Sequence, residues 1–296
     1  MAQNRYYMKI AFAKFHGLGN DFLVVQGRGL PRALPGFTRS ILSRNTGVGA
    51  DGLVVVLPPR SEKHDARVRF FNADGSEAEM SGNGIRCAGA FLVGRKRRKR
   101  TLRIETRAGV KSLETVQAEE GKWTFRVGMG APILEPAKIP FKAADVSAPV
   151  LGFPLRIHGG AWPVTVTSMG NPHCTVFVAD YARIDWATLG RTIETHELFP
   201  NRTNVEFVKL ISKNEIEVRF WERGVGHTMS SGTGSCAAAV ASILHGLTGR
   251  EIRVRTEAGL LEVAWPEKGE ISLTGPVELV VQGAYFYRQR WRRLVL

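Results

Sequence analysis

The feature that most constrains the fold is a short segment that the chain contains twice. Residues 81–84 read Ser-Gly-Asn-Gly and residues 231–234 read Ser-Gly-Thr-Gly, and each copy leads into a run of small and apolar residues. A glycine-rich turn that opens a helix leaves backbone N–H groups unpaired at the positive end of the helix dipole, where an anion can bind. Two such helix starts predict one shared site.

Other segments recur at the same spacing as these turns. Val68-Arg69-Phe70 is repeated as Val218-Arg219-Phe220 at an offset of 150, and Gly19-Asn20 is repeated as Gly170-Asn171 at an offset of 151. An offset held with one residue of slippage predicts an internal duplication. The chain is therefore expected to form two homologous halves, each a domain of ordinary size.

The duplication sets the predicted domain boundaries. We place the N-terminal half at residues 8–131, with the C-terminal segment 277–296 returning to it, and the C-terminal half at residues 132–276. The link at 131–154 is rich in proline and alanine and has little periodicity. Length alone favours about two domains as well.

Each half has one candidate central helix, at residues 83–94 and 233–247, that is apolar on nearly every face. Such a helix must be buried all round, and the segments near it have the short patterns typical of strands. The predicted fold class is therefore α/β of the α+β kind: two pseudo-symmetric domains, each a curled mixed sheet or barrel around a central helix, with the active site in the cleft between them. The predicted strands cover residues 8–14, 22–25, 53–57, 67–71, 102–105, 111–115, 123–128, 162–168, 175–178, 204–209, 216–221, 252–255, 261–264 and 271–273.

The formal net charge of +14 raises the question of a nucleic-acid partner. Six of these charges lie in the run Arg95–Arg100, and four more come from Arg288, Arg290, Arg292 and Arg293. Nucleic-acid modules usually interleave such charge with aromatic residues or place it on a recognition helix. Because the run falls between the first central helix and the next strand, we interpret it as a solvated loop. Binding of a polyanion through this run is kept as the alternative.

Neither a membrane segment nor a cofactor is indicated by the sequence. No apolar run approaches the roughly 20 residues of a membrane helix, and the N-terminus lacks the apolar core of a signal peptide, so we expect a cytoplasmic protein. Three cysteines, Cys87, Cys174 and Cys236, are not arranged as zinc-binding or disulfide pairs and are interpreted as core residues. No metal, nicotinamide or pyridoxal phosphate is expected.

Six motifs, in chain order, make the sequence recognisable: HGLGNDF, FNADGSE, SGNGIRC, GNPH, ERGVG and SGTGSCAAA. The chain resembles the diaminopimelate epimerases from Lys9 to about Tyr287. The resemblance implies a cofactor-independent amino-acid epimerase that interconverts LL- and meso-diaminopimelate in lysine biosynthesis, with two bases on opposite faces of one α-carbon. It also implies a homodimer whose small-molecule partner is the amino-acid substrate.

The same resemblance implies a set of substrate contacts. Asn72 and Asn204 would hold the distal end of the substrate, Arg223 its distal carboxylate and Glu222 an ammonium group. For each asparagine, the alternative is a turn residue that bonds its own backbone, and His173 is either a hydrogen-bonded turn residue or a group that orients substrate or base. The full set is Asn20, Asn72, Asn171, His173, Asn204, Glu222, Arg223 and the turns at Gly82, Asn83, Gly232 and Thr233.

The chain departs from the family at the two catalytic positions. Where the family has cysteine bases, this sequence has Ser81 and Ser231. A cysteine thiol ordinarily has a pKa of about 8.5, which falls further at a helix N-terminus, whereas a serine hydroxyl needs a strong neighbouring base. Neither motif supplies such a neighbour in sequence, although His173 or His227 could approach in space.

Three interpretations of the serines remain open. The bases were replaced by cysteine-to-serine changes; or the chain is a natural serine enzyme of this fold with another reaction, such as an isomerase similar to that of phenazine biosynthesis; or it is an inactive paralogue that binds an amino acid. The retained asparagine and Glu222-Arg223 contacts favour diaminopimelate as the substrate over the second interpretation.

Overall fold

The computed structural model describes residues 7–95, 100–144, 146–157 and 159–288. The described residues form two compact units. Unit one consists of the chain up to Phe125 together with the part from Pro276 onward, and unit two is Arg126–Gly275. The chain leaves unit one within one strand, β8 (Lys122–Gly130), and returns to it within another, β17 (Ile271–Arg288).

Unit one alternates strands with two helices. Its elements are β1 (Tyr7–Gly17), β2 (Asn20–Gln26), α1 (Leu34–Leu42), β3 (Gly52–Leu57), β4 (Ala66–Asn72), β5 (Glu77–Ala78), α2 (Gly82–Arg95), β6 (Thr101–Thr106) and β7 (Gly109–Glu119), followed by the start of β8. β1 lies antiparallel to both β2 and the end of β17. β2 pairs in parallel with β3, and β4 pairs in parallel with β6 across the connection that contains α2.

Unit two repeats this plan. Its strands and helices are β9 (Val150–Ile157), β10 (Gly160–Ser168), β11 (Pro172–Phe177), α3 (Trp186–Glu194), β12 (Asn204–Ser212), β13 (Glu215–Glu222), β14 (Gly226–Thr228), α4 (Gly232–Leu244), β15 (Glu251–Thr256) and β16 (Gly259–Ala264), with single 3-10 turns at Pro136–Lys138 and Tyr181–Arg183. Its two parallel pairs, β11 with β12 and β13 with β15, correspond to the two of unit one. The structure therefore confirms the predicted α+β class with its duplication.

The two central helices are buried, as their composition predicts. α2 packs on β1, β2, β3 and β4, and every residue from Gly82 to Ala90 is buried. α4 packs on β10 to β13 and on β15 and β16, and it is buried along most of its length. Because small residues line both helices, the strands approach their backbones closely, and this packing holds each Ser-Gly-x-Gly turn in place.

Several sequence predictions of elements are wrong in detail. The segment 131–154 is not a plain link, since β9 begins inside it at Val150. Pro154 of β9 lies opposite Pro163 of β10, so neither residue gives an N–H to the ladder at this position, and the residues on either side maintain the pairing. The strand predicted at 175–178 starts earlier, because β11 begins at Pro172. The last strand does not stop at residue 273 but continues to Arg288.

None of the helices in the described ranges combines the length and apolarity that crossing a membrane requires.

Candidate functional site

The two repeated turns form equivalent helix N-termini. Ser81 Oγ accepts a hydrogen bond from the Gly84 N–H at 3.1 Å, and Ser231 Oγ accepts one from the Gly234 N–H at 3.3 Å. The main-chain carbonyl of each serine also accepts the first helical hydrogen bond, from Ile85 in α2 and Ser235 in α4. Serine is a favoured residue at this capping position. The N–H groups that precede these bonds remain available to an anion at each helix start.

The two repeats differ in the residue that ends the strand before each capping serine. Ser231 is 4% exposed, and its hydroxyl donates to Glu222 Oε1 at 2.6 Å. Glu222 ends β13, and the residue at the equivalent place in the first repeat is Asn72, which ends β4. The Asn72 amide donates to Ser76 Oγ at 2.9 Å, within its own turn. A carboxylate is thus hydrogen-bonded to the capping serine in unit two, while its counterpart in unit one is an amide that bonds elsewhere.

In unit one, the predicted contacts Asn20 and Asn83 lie together at the start of α2. Asn83 Nδ2 donates to Asn20 Oδ1 at 2.9 Å, and Asn20 Nδ2 donates to Asp51 Oδ2 at 2.8 Å. The guanidinium of Arg86, one turn into the helix and fully buried, donates to Asn83 Oδ1 at 2.5 Å and to the Gly82 carbonyl at 3.3 Å. These bonds fix the direction of both asparagine amides.

A cluster of charges supports this arrangement from the β1–β2 hairpin. Asp21 accepts from the Lys14 ammonium at 2.7 Å, and the Asp51 backbone N–H donates to Asp21 Oδ1 at 2.8 Å. Burial alone would raise the pKa of Asp21, but the hydrogen bonds from Lys14 and from the backbone of Asp51 outweigh it and lower the pKa. Asp21 is therefore an anionic acceptor at neutral pH, and Asp51 keeps Asn20 oriented by accepting from its amide.

In unit two, His173 is at the centre of the polar contacts. Its Nδ1 lies 2.6 Å from Glu206 Oε1, and its Nε2 lies 3.0 Å from Asn171 Oδ1. The Asn171 Nδ2 donates to Thr233 Oγ1, near the start of α4, at 3.5 Å. His173 lies within β11 and is fully buried, so it is not a turn residue. Burial raises the pKa of Glu206, and the nearby charge of Glu222 adds to this effect.

The remaining predicted contacts of unit two are held by main-chain bonds. Asn204 Nδ2 donates to the Pro172 carbonyl at 2.9 Å, and its Oδ1 accepts from the Arg223 N–H at 3.0 Å. The Arg223 guanidinium donates to the Asn201 carbonyl at 3.0 Å and is exposed. Asn204 therefore fixes the turn that carries Glu222 and Arg223, whereas Arg223 is accessible to a ligand.

The expectation that a histidine approaches a capping serine is not met in unit two. His227 instead pairs with Glu257 at 2.5 Å, and His173 is occupied by Glu206 and Asn171. The group that reaches Ser231 is Glu222, which lies nine residues earlier in the sequence. The β13–β14 hairpin brings the two residues together, so the contact depends on tertiary structure and not on sequence proximity.

The cysteines are core residues, as predicted. Cys87, Cys174 and Cys236 are in no disulfide bond and have no exposed surface. Burial raises the pKa of Cys87 to about 12 and raises that of Cys174 well above its ordinary value. Neither thiol forms a thiolate near neutral pH, so neither replaces the missing cysteine bases.

Two polar residues of the site were missed in the sequence, Arg86 and Glu206. Both are charged residues inside apolar segments, one in the helix that follows Ser81 and the other in the run Asn204-Val205-Glu206-Phe207. A charge at a buried position needs a partner, and this rule could have marked both. Their partners, Asn83 and His173, could only be found from the structure.

Two further sequence expectations concern charge and metals. Within the run Arg95–Arg100, residues 96–99 lie outside the described residues, as do Arg290, Arg292 and Arg293. The polyanion alternative therefore stays a prediction. In the part of the chain that the structure describes, no group of three or more histidine, cysteine, aspartate or glutamate side chains is arranged to hold a metal ion.

The close packing at the start of α4 gives a stability prediction. A Cβ on Gly234 would lie 2.9 Å from the Phe220 ring and 3.0 Å from Glu206 Oε1. Because neither neighbour can move freely in the core, we expect Gly234→Ala to destabilise the protein by about 1–3 kcal/mol. The matched control is Gly36→Ala in α1, where a Cβ would meet nothing within 4 Å. Urea unfolding of both variants measures the difference, and equal midpoints would contradict the prediction.

Comparison with solved structures defines the fold class of the protein. The fold matches a hydroxyproline epimerase from Agrobacterium vitis with a TM-score of 0.69, 14% identity and coverage of 98% of this chain and 95% of that one. It also matches a Bacillus anthracis protein of a phenazine biosynthesis family with a TM-score of 0.65, 19% identity and coverage of 94% and 99%. At these identities the likeness concerns the fold alone, so these two structures confirm the two-unit α+β architecture of this chain.

Sequence comparison identifies the family within this class. The model of the diaminopimelate epimerase family matches residues 12–135 and 165–280. A diaminopimelate epimerase of Pelotomaculum thermopropionicum is 46% identical over 94% of this chain and 99% of the relative, and one of Nostoc sp. is 42% identical over 93% and 99%. The chain belongs to the diaminopimelate epimerase family, and the predicted isomerase class is confirmed.

Proposed function

We propose that this protein interconverts LL- and meso-diaminopimelate, in lysine biosynthesis, by removing and returning the α-proton without a cofactor. Family membership and the near full-length match to diaminopimelate epimerases support the substrate. The two helix starts support the chemistry. Their N–H groups suit the substrate carboxylate, and fixed dipoles there stabilise the negative charge that develops when the α-proton leaves.

The hydrogen bond between Ser231 and Glu222 is the observation that carries the proposal. A serine hydroxyl alone is too weak a base to accept the α-proton. With Glu222 as the acceptor, the α C–H bond breaks, Ser231 Oγ takes that proton, and the hydroxyl proton of Ser231 passes to Glu222 Oε1. The electron pair remains on the α-carbon and its carboxylate, and no free alkoxide forms. Ser81 takes the second base position, from which a proton is delivered.

The other predicted contacts receive roles that agree with their chemistry. The second oxygen of Glu222 suits a substrate ammonium, and the exposed Arg223 guanidinium suits the distal carboxylate. Asn20, Asn83, Asn171 and Thr233 offer amide and hydroxyl groups beside the helix starts. Asn204 contributes by fixing the turn of Glu222 and Arg223, and Asn72 remains a proposed distal contact.

We extend the proposal to a cytoplasmic homodimer, as the resemblance implies. The paired strands β1 and β17 of unit one expose large apolar side chains, including Tyr7 at 45%, Val280 at 52% and Phe286 at 60%. Exposed apolar side chains grouped on neighbouring strands support a protein contact at this surface.

The proposal is tested by following hydrogen exchange at the α-carbon in D₂O by NMR, with LL- and meso-diaminopimelate as substrates. We expect the protein to exchange the α-hydrogen and Ser231→Ala to lose this activity. Ser230→Ala is the matched control, because Ser230 is the preceding residue and is equally buried, at 5% exposure. The control should retain exchange.

Each other outcome points to a specific alternative. Binding of diaminopimelate without exchange would indicate an amino-acid-binding paralogue. Exchange of another amino acid in place of diaminopimelate would indicate a different racemase of the same fold. Absence of both binding and exchange would contradict the substrate assignment.

A further inference from the structure

The hydrogen-bond contacts of the buried pair His173 and Glu206 determine how many protons the pair holds. The Asn171 atom that faces His173 Nε2 is a carbonyl oxygen, at 3.0 Å, and a carbonyl oxygen can only accept. Nε2 must therefore carry a proton. Nδ1 faces the Glu206 carboxyl group at 2.6 Å, so one more proton lies between these two atoms. The pair as a whole holds two protons and is electrically neutral.

Burial explains why this neutral state is kept. The side chains of His173 and Glu206 are 0% and 1% exposed. Removing one proton would leave a net negative charge in the interior, and an uncompensated buried charge is costly. As long as residue 206 is a carboxyl group, His173 is expected to retain its Nε2–H.

The Nε2–H in turn decides which end of the Asn171 amide faces α4. Because Asn171 Oδ1 accepts from His173, its Nδ2 points to Thr233 near the helix start, at 3.5 Å from Oγ1. If Nε2 lost its proton, the amide would have to turn over to donate to it. The carbonyl oxygen would then face the helix start, where it would repel a carboxylate.

The first repeat shows that the neighbour sets the direction of this amide. Asn20, the counterpart of Asn171, has a carboxylate beside it, Asp51, and its amide points the opposite way. Its Nδ2 donates to Asp51 and its Oδ1 accepts from Asn83 of α2. The same residue type in the same place of the two repeats thus presents an acceptor to one helix start and a donor to the other.

We infer that Glu206 is a positioning residue, which acts through His173 to hold the Asn171 amide with its N–H donors toward the carboxylate-binding start of α4. The carboxylate ligand rests on the proposed function, whereas the protonation of His173 does not. Glu206 also lies under the helix start, since its Oε1 would be 3.0 Å from a Cβ placed on Gly234. Glu206 therefore packs beneath the Ser-Gly-x-Gly turn at the start of α4, and we assign it no contact with the substrate.

The first test is the nitrogen NMR spectrum of the histidines in the ligand-free protein, with His173→Gln used for assignment. We expect Nε2 of His173 to be protonated in the unmodified protein and unprotonated in Glu206→Gln. The new amide should direct its NH₂ to the hydroxyl of Thr175 and its oxygen to Nδ1, so that a neutral ring donates from Nδ1 alone. The matched control is Glu257→Gln, which removes the carboxylate partner of His227 and should leave the His173 signals unchanged. An unprotonated Nε2 in the unmodified protein would overturn the inference without any variant.

The second test is the affinity for meso-diaminopimelate, measured by calorimetry. Loss of a hydrogen bond to a charged group should weaken binding about tenfold or more in Glu206→Gln. Asn171→Ala should then add little in the Glu206→Gln background, since both changes remove the same contact. Glu206→Asp, which restores the carboxyl group, should regain part of the affinity. If the affinity losses of Glu206→Gln and Asn171→Ala were additive, Glu206 would have only a structural role.

The two tests separate this inference from the proposed function. If the unmodified protein binds no diaminopimelate but His173 loses its Nε2 proton only in Glu206→Gln, the proposed substrate is wrong and the role of Glu206 in setting the amide is upheld. If diaminopimelate binds and exchanges while the His173 spectrum is the same in both proteins, the proposed function stands and the inference is wrong.

Discussion

Replacing both capping serines by cysteine should raise epimerase turnover by about a hundred-fold to ten-thousand-fold, the range that a positioned base contributes. Ser81 and Ser231 lie at helix N-termini, where the dipole lowers the pKa of a thiol below its ordinary value of about 8.5. A thiolate and a thiol can then coexist near neutral pH, one to remove the α-proton and the other to deliver one. The conversion of LL- to meso-diaminopimelate measures the effect.

The control for this experiment is a thiol of the same kind placed one residue away. Ser230→Cys adds a buried cysteine beside Ser231 but does not occupy the capping position. It should leave turnover at the level of the serine protein. If the Ser81→Cys/Ser231→Cys protein turned over no faster than this control, the two serines would not be the base positions. The catalytic roles that the family resemblance implies for Ser81 and Ser231 would then be wrong.

Changing Glu222 to glutamine should abolish α-hydrogen exchange in the serine protein, with a loss of about a hundred-fold or more. An amide accepts the hydrogen bond from Ser231 but cannot take up its proton, so the route from the α-carbon through the hydroxyl is closed. In the Ser81→Cys/Ser231→Cys protein, a thiolate serves as the base by itself, and the same change should cost much less. A loss of exchange that is large with serine at position 231 and small with cysteine there would show that the proton passes through the Ser231 hydroxyl to Glu222.

Glu222 is also proposed to bind an ammonium group, so affinity must be measured separately by calorimetry. Glu217→Gln is the control variant, since Glu217 lies on the same strand and pairs with Arg219 at 3.6 Å. It should leave exchange unchanged. An equal loss from Glu222→Gln in the serine and cysteine proteins would indicate a role in binding alone.

The elements that the sequence predicted best are those whose burial is uniform. α2 and α4 are apolar on nearly all faces, so their helical character and their central position follow from composition and from the Ser-Gly-x-Gly turns. The strand β9 was not predicted, because Pro154 within it usually ends a strand. The strand is revealed by its pairing with β10 on both sides of that proline, Phe153 with Val164 and Leu155 with Trp162.

The hydrogen bonds of the site also differ in whether local sequence or tertiary structure determines them. The capping role of Ser81 and Ser231 is local, because it depends only on the residues of the turn. The bond from Ser231 to Glu222 and the pair of His173 with Glu206 depend on neighbouring strands of a folded sheet. A sequence gives the residue types for such contacts, but it does not give the distances that turn a hydroxyl and a carboxylate into a proton relay.

The path of the chain also bears on how this protein is made. Most of unit one precedes unit two in the chain, yet its strand β1 pairs along its length with residues 278–288 of β17. A ribosome therefore releases the partner of β1 only after the whole of unit two has been made. Domains usually fold in the order in which they emerge, but here unit two, whose residues 126–275 form one continuous segment, is complete before unit one. Until then the nascent chain carries β1 without one of its neighbours, as a strand edge that chaperones can bind.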